Sequence, residues 1–286
     1  MLLLLLPVLQ YGASVTSLPP EILDRKAIEA KKRAQDTGGF TGGPILPPTK
    51  GEGCVDDMAA NPAAGAAAAQ SALDRAQGEE RVRAGLCLGV ALGAMERWGE
   101  AQTAFLRARD AAPPTDAASR ARLGAMAGNA ALAGGSAATA LPILDVAQAA
   151  AKTAQDTDLL GTIAVDRARA FVALDQQAQA ASALADARMA APGDPQAWLL
   201  SATLSRRQNK LTEAQTQIER AAQIAPQDPE IGLEAGVIAV LGGRDAAARK
   251  SWQSVVATAP ASDAAKTAKG YLAQLDAQTP AKVAKP

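Results

Sequence analysis

RAGLCLGVALGAMERWGEAQTAFLRARDAAP, residues 83–113, is organised by the spacing of its small residues. Gly89 is followed twelve positions later by Ala101 and seven after that by Ala108, and Pro113 stands five residues further on. The same spacing returns in Gly128–Ala140–Ala147, Ala168–Ala180–Ala187, Ala202–Ala214–Ala221 and Gly236–Ala248–Val255. Pro192, Pro226 and Pro260 take the place of Pro113 in the last three sets and are 34 residues apart, a helix–turn–helix period. The stretch QAWLLSATLSRRQNKLTEAQTQIERAAQIAP (196–226) follows the pattern nearly as well.

Close packing explains the spacing. Two antiparallel helices approach most tightly where both present alanine or glycine, and a larger side chain there costs roughly 1–3 kcal/mol in overpacking. Leu88, Leu92, Phe105, Phe171, Leu184, Trp198, Ile218 and Trp252 are predicted to fill the remaining gaps. The proline ends each second helix because it has no N–H to continue the ladder.

Over roughly residues 82–260 this pattern resembles the tetratricopeptide repeat (TPR) family. The resemblance implies an all-α fold, an α-solenoid of helix–turn–helix repeats in a right-handed superhelix, and it implies binding rather than chemistry. The sequence departs from the pattern in places. Lys152 takes the proline slot of the second repeat, so that helix is expected to run longer. The first three repeats are about 39–40 residues apart, which puts extra residues near 114–120 and 153–160. Arg167 takes a slot that usually holds leucine, and Asp166 can pair with Arg169 three residues away on the same helix.

Composition agrees with helices throughout. The chain is 48% hydrophobic but only 3% aromatic, with alanine supplying much of the apolar count. Alanine is the best helix former and buries little area per residue, so stacking of neighbours must supply most of the stability. Lys+Arg and Asp+Glu are 29 each, a formal net charge of zero. That balance argues against nucleic-acid binding, which needs a basic surface.

The organisation reads as follows. Residues 1–17 (MLLLLLPVLQYGASVTS) fit a signal peptide: a short apolar core, then small residues, though without a positive n-region. The alternative is an apolar extension of a cytoplasmic chain. Cleavage would leave no stable membrane span and a periplasmic or secreted protein. Residues 18–53 are a linker rich in glycine and proline. A TPR solenoid is expected over 54–277: a half-repeat at 54–80, repeats at about 82–115, 121–153, 161–194, 195–228 and 229–261, and a capping helix at 262–276. Residues 278–286 form a tail expected to be disordered.

Chemistry is sparse. There is no histidine, which removes the commonest general base and metal ligand. Two cysteines cannot build a structural zinc site alone. The glycine pairs near residue 40 lack a following GK[ST], and GLCLGVALG (85–93) lies inside a predicted helix. No catalytic, metal or cofactor site is expected, and the chain does not read as an enzyme.

Cys54 and Cys87 can pair. Asn61–Pro62 reads as an N-cap followed by proline at the first helical position. A helix ending near residue 60 would then run parallel to the helix at 81–95, with both cysteines at similar height. A bridge would close a loop of about 33 residues and add roughly 3–4 kcal/mol. Two unrelated thiols remain the alternative.

In TPR proteins the first helices of the repeats line a groove that takes a protein or peptide. Mapped by the resemblance, the groove slots include Arg83, Leu86 and Val90, then Arg122, Ala125 and Asn129, then Thr162, Val165 and Arg169. Gln196, Leu199, Thr203 and Arg206 follow, and then Glu230, Leu233 and Val237. Asn129 can donate to and accept from a peptide backbone at once. Arg122, Arg169 and Arg206 could hold carboxylates by forked hydrogen bonds, and Arg83 and Thr203 complete the groove candidates. The expected function is a non-enzymatic scaffold in bacterial envelope assembly or trafficking. A cytoplasmic TPR adaptor, or an accessory subunit of an enzyme on another chain, are the alternatives.

Overall fold

The computed structural model describes residues 61–278. The signal-peptide and linker segments, the start of the half-repeat, Cys54 and most of the tail therefore lie outside the described residues. Twelve helices and no strand occur among the described residues. They are α1 (Pro62–Arg75), α2 (Gly78–Ala94), α3 (Trp98–Ala111), α4 (Ala117–Ala133), α5 (Ala137–Ala154) and α6 (Thr157–Ala173). The second half continues with α7 (Gln177–Ala190), α8 (Pro195–Arg207), α9 (Leu211–Ile224), α10 (Pro229–Leu241), α11 (Asp245–Thr258) and α12 (Asp263–Gln278). Each helix packs against the next in order, and α4, α6, α8, α10 and α12 also touch one another in sequence. The fold is an all-α solenoid of TPR-like hairpins. The first helix of each hairpin forms one stack, called inner below.

The small residues stand at the crossings. Ala101, Ala108, Ala140, Ala147, Ala180, Ala187, Ala214, Ala221 and Ala248 are completely buried. A Cβ on Gly89 would lie 2.4 Å from the Phe105 ring, and one on Gly128 would lie 2.4 Å from Leu144. At Gly236 it would fall 2.0 Å from the Trp252 indole nitrogen. Glycine here allows close approach of a large side chain on the facing helix.

The turn inside each hairpin also repeats. Seven residues after the first small residue, Glu96, Gly135, Asp175, Asn209 and Gly243 all have positive φ, between 55° and 75°. Their left-handed backbone reverses the chain. Three of the five are not glycine, so the turn is held by the packing of its two helices rather than by residue preference.

Inner helices from the second repeat onward start on an aspartate. Asp116, Asp156, Asp194 and Asp228 accept from backbone N–H groups of Ser119, Leu159, Gln196 and Glu230 at 2.8–3.1 Å. Pro195 and Pro229 occupy the first helical position after two of them. Hydrogen bonds from Ser119 hold the Asp116 carboxyl below its ordinary value. The folded state therefore favours the ionised form. That contribution is present above the unfolded aspartate value of about 3.9 and is lost as pH falls through the lower folded value. Asp116→Ala is expected to cost about 1 kcal/mol at neutral pH and much less near pH 2. Urea denaturation at the two pH values measures it.

Most of the irregular spacing is taken up as added helical turns. Inner helices α2, α4 and α6 have 17 residues, whereas α8 and α10 have 13. Outer helix α5 has 18 residues against 14 for α3, α7, α9 and α11. With Lys152 in place of proline, α5 continues to Ala154 and stops at Gln155, whose φ is 55°. Pro142 stands inside α5, exposed to solvent, without ending it. The added first turns of α2 and α4 carry Arg81 and Arg120. Arg81 donates to the Leu73 carbonyl at 3.1 Å, and Arg120 to those of Arg109 and Ala112 at 3.1 and 3.3 Å. Each arginine thus satisfies carbonyls at the end of the preceding helix.

Candidate inner-face site

Inner helices meet one another along a seam, and that contact decides what the inner face exposes. Ala125, Val165, Leu199, Leu233 and Val237 are buried, while Leu86 and Val90 are half-buried. These apolar slots pack largely within the stack, because the next inner helix lies over them. The polar slots carry the site.

Asn129 and Arg169 converge on Asp166. The Asn129 side-chain nitrogen on α4 donates to one Asp166 oxygen at 3.3 Å. The Arg169 guanidinium on α6 donates to the other oxygen at 2.8 Å. Asp166 is only 4% exposed, whereas Arg169 remains 45% exposed. The expected Asp166–Arg169 pair forms, with its acid inside the stack and its base at the surface. Two donors from two helices offset the cost of burying the carboxylate.

Arg122 on α4 donates to Asp156 at 3.3 Å, so it reaches the capping residue of the next inner helix. Arg83 is exposed on α2, and Thr203 is half-buried on α8. Thr203, Asn129 and Arg169 each follow the first small residue of their repeat by one position, so they share one register. Arg206 differs from the other arginines. Its side chain is 5% exposed and forks onto Glu234, itself 3% exposed, at 2.6 and 3.4 Å. It joins α8 to α10 inside the stack.

The two buried acids share a slot as well. Asp166 and Glu234 each precede the first small residue by two positions, where the other repeats have Cys87, Met126 and Leu200. An acid in an otherwise uncharged slot was the available signal for both. Arg167 also makes a junction: its Nε donates to Asp145 at 2.9 Å, and its guanidinium lies 5.6 Å from the Phe171 ring centre.

Cys87 is half-buried on α2 against the core, and there is no free cysteine among the described residues. No cluster of three or more potential metal-ligating residues occurs among the described residues. No described helix is long and apolar enough to cross a membrane.

No family model and no curated protein matches the chain. Solved structures do match its fold. The structure of pilF from Pseudomonas aeruginosa has a TM-score of 0.58 and 13% identity, covering 85% of this chain and 99% of pilF. BtubC from P. vanneervenii has a TM-score of 0.56 and 13% identity, covering 82% of this chain and 96% of its own. A thermophilic TPR protein of Thermus thermophilus, TTC0263, is 21% identical over 68% of this chain and 99% of its own, with a TM-score of 0.47. At these identities the likeness is one of fold, and the first two structures carry it. The chain has the fold of a TPR-like helical-repeat solenoid.

Proposed function

We propose that this chain is a non-enzymatic scaffold that captures a peptide or a partner segment along its inner helices. One observation carries the reading: Arg122, Asn129 and Arg169 stand on adjacent inner helices, each in a hydrogen bond whose acceptor lies on α6 or at its start. Donors fixed in this way meet an incoming chain without first being ordered. Arg169 keeps nearly half of its surface in solvent and has guanidinium donors beyond the one on Asp166. It suits a carboxylate of a partner segment with acidic character.

The setting that fits the sequence is the bacterial envelope, after removal of about 17 residues, with Cys54 and Cys87 paired. Intact mass of the mature protein and thiol titration test both. A full-length mass with two free thiols favours the cytoplasmic adaptor instead.

Binding is tested by changing Arg83, Arg122 and Arg169 together to serine and measuring recovery of the partner on immobilised protein. Arg206 is left in place, since its side chain is 5% exposed inside the stack and its removal would confuse folding with binding. At least a tenfold loss of capture is expected with unchanged helical content, since Asp166 keeps its Asn129 donor and Asp156 keeps the Leu159 N–H. Capture should also weaken with added salt, because these contacts are near the surface. Undiminished capture by the triple variant would refute the groove.

A further inference from the structure

Side-chain ties join nearly every repeat to its neighbour. Arg120 of the second repeat caps the end of α3. The second and third repeats share Arg122–Asp156, Asn129–Asp166 and Arg167–Asp145. The fourth and fifth share the buried Arg206–Glu234 fork and the Arg244–Gln215 hydrogen bond. The fifth repeat holds α12 through Arg249–Asp276 and through Trp252 packed at a tilt against Tyr271.

The junction of the third and fourth repeats is different. No side-chain hydrogen bond or ion pair joins α6 or α7 to α8 or α9 among the described residues. Arg188 lies over the Trp198 ring at 5.2 Å, and burial there pushes its guanidinium pKa down. Trp198 Nε1 also donates to the Pro192 carbonyl in the connecting turn at 3.0 Å, and Glu213 on α9 attracts Arg188. The rest of the helix-to-helix contact is apolar and rich in alanine. Ala164, Val165, Ala187 and Ala197 gather around Leu200, and Ala168, Ala180 and Ala183 gather with Leu184 and Leu204. Inner helices also shorten here, from 17 residues in α6 to 13 in α8.

Repeat stacks divide at their weakest nearest-neighbour interface. We infer that this solenoid has a hinge between α7 and α8, so that residues 78–190 and 195–278 open as two separate cooperative units. The hinge falls between Arg169 and Thr203, in the middle of the inner face. A partner lying across both would close it and be read by that closure; this last consequence rests on the proposed groove, whereas the hinge does not.

Hydrogen exchange of the full chain in rising urea tests the hinge without any partner. Amides of 78–190 should converge on one opening curve and those of 195–278 on another. One curve shared by both, or a division at a different junction, would overturn the inference. Arg188→Ala supplies a second arm, since it removes the cation–π contact between α7 and α8. It should speed exchange in 195–207 by about twofold to fivefold, the worth of a partly exposed cation–π contact, and leave 117–154 unchanged. No change in 195–207, or an equal rise in both stretches, would also overturn it.

Discussion

Arg206→Ala is expected to lower the unfolding free energy by about 3–5 kcal/mol. The loss comes from Glu234 more than from the missing contact. Glu234 is 3% exposed, so its carboxylate would remain in a dry site with its forked partner gone. Arg206→Lys should recover only part of the loss, because an ammonium cannot reproduce a planar fork. The double change Arg206→Met with Glu234→Leu should recover most of it, since apolar residues of similar volume often replace a buried ion pair at little cost. Urea denaturation followed by circular dichroism reads all three. A loss below about 1 kcal/mol for Arg206→Ala, the size of a surface pair, would mean that water reaches this site.

Trp252→Ala should cost about 3–5 kcal/mol. The Trp252 ring is 2% exposed and lies against Gly236, which has no side chain to keep it away. Its nitrogen donates to the Leu233 carbonyl at 3.1 Å, and its ring centre is 5.1 Å from that of Tyr271. One side chain therefore links α10, α11 and α12. Its removal opens a large void and takes the aromatic partner of Tyr271 from the terminal helix. Limited proteolysis should then cut within α12 before any other helix, and thermal unfolding should begin earlier. The converse change, Gly236→Ala, keeps the indole but puts a methyl in its place, with an overpacking cost of roughly 1–3 kcal/mol. Normal proteolysis of Trp252→Ala would show that α12 is held by other contacts.

The sequence made the repeats legible because their packing leaves a periodic mark. A helix crossing admits only small residues, so Gly89, Ala101 and Ala108 announce a hairpin, and four further sets announce the stack. Lys152 rightly marked a longer helix, since it removes the stop that proline supplies at Pro192 and Pro226. What the extra residues become was harder to read. A four-residue insertion can be a loop or a helical turn, and the added turns of α4 and α6 begin at the caps Asp116 and Asp156.

The inner face was legible only as a list of slots. Register identifies which residues point to the stack, but it does not say how closely the next helix approaches. That distance separates Arg169, 45% exposed, from Arg206, 5% exposed. Partners 28 and 37 residues away, Glu234 for Arg206 and Asp166 for Asn129, belong to the neighbouring repeat. A scan within one repeat does not meet them.

Hydrogen exchange of the chain with its captured partner, compared with the chain alone, tests the central claim most directly. Protection should concentrate on inner helices α2, α4, α6 and α8 around Arg83, Arg122, Asn129, Arg169 and Thr203. Protection confined to the outer helices α3, α5 and α7 would contradict it.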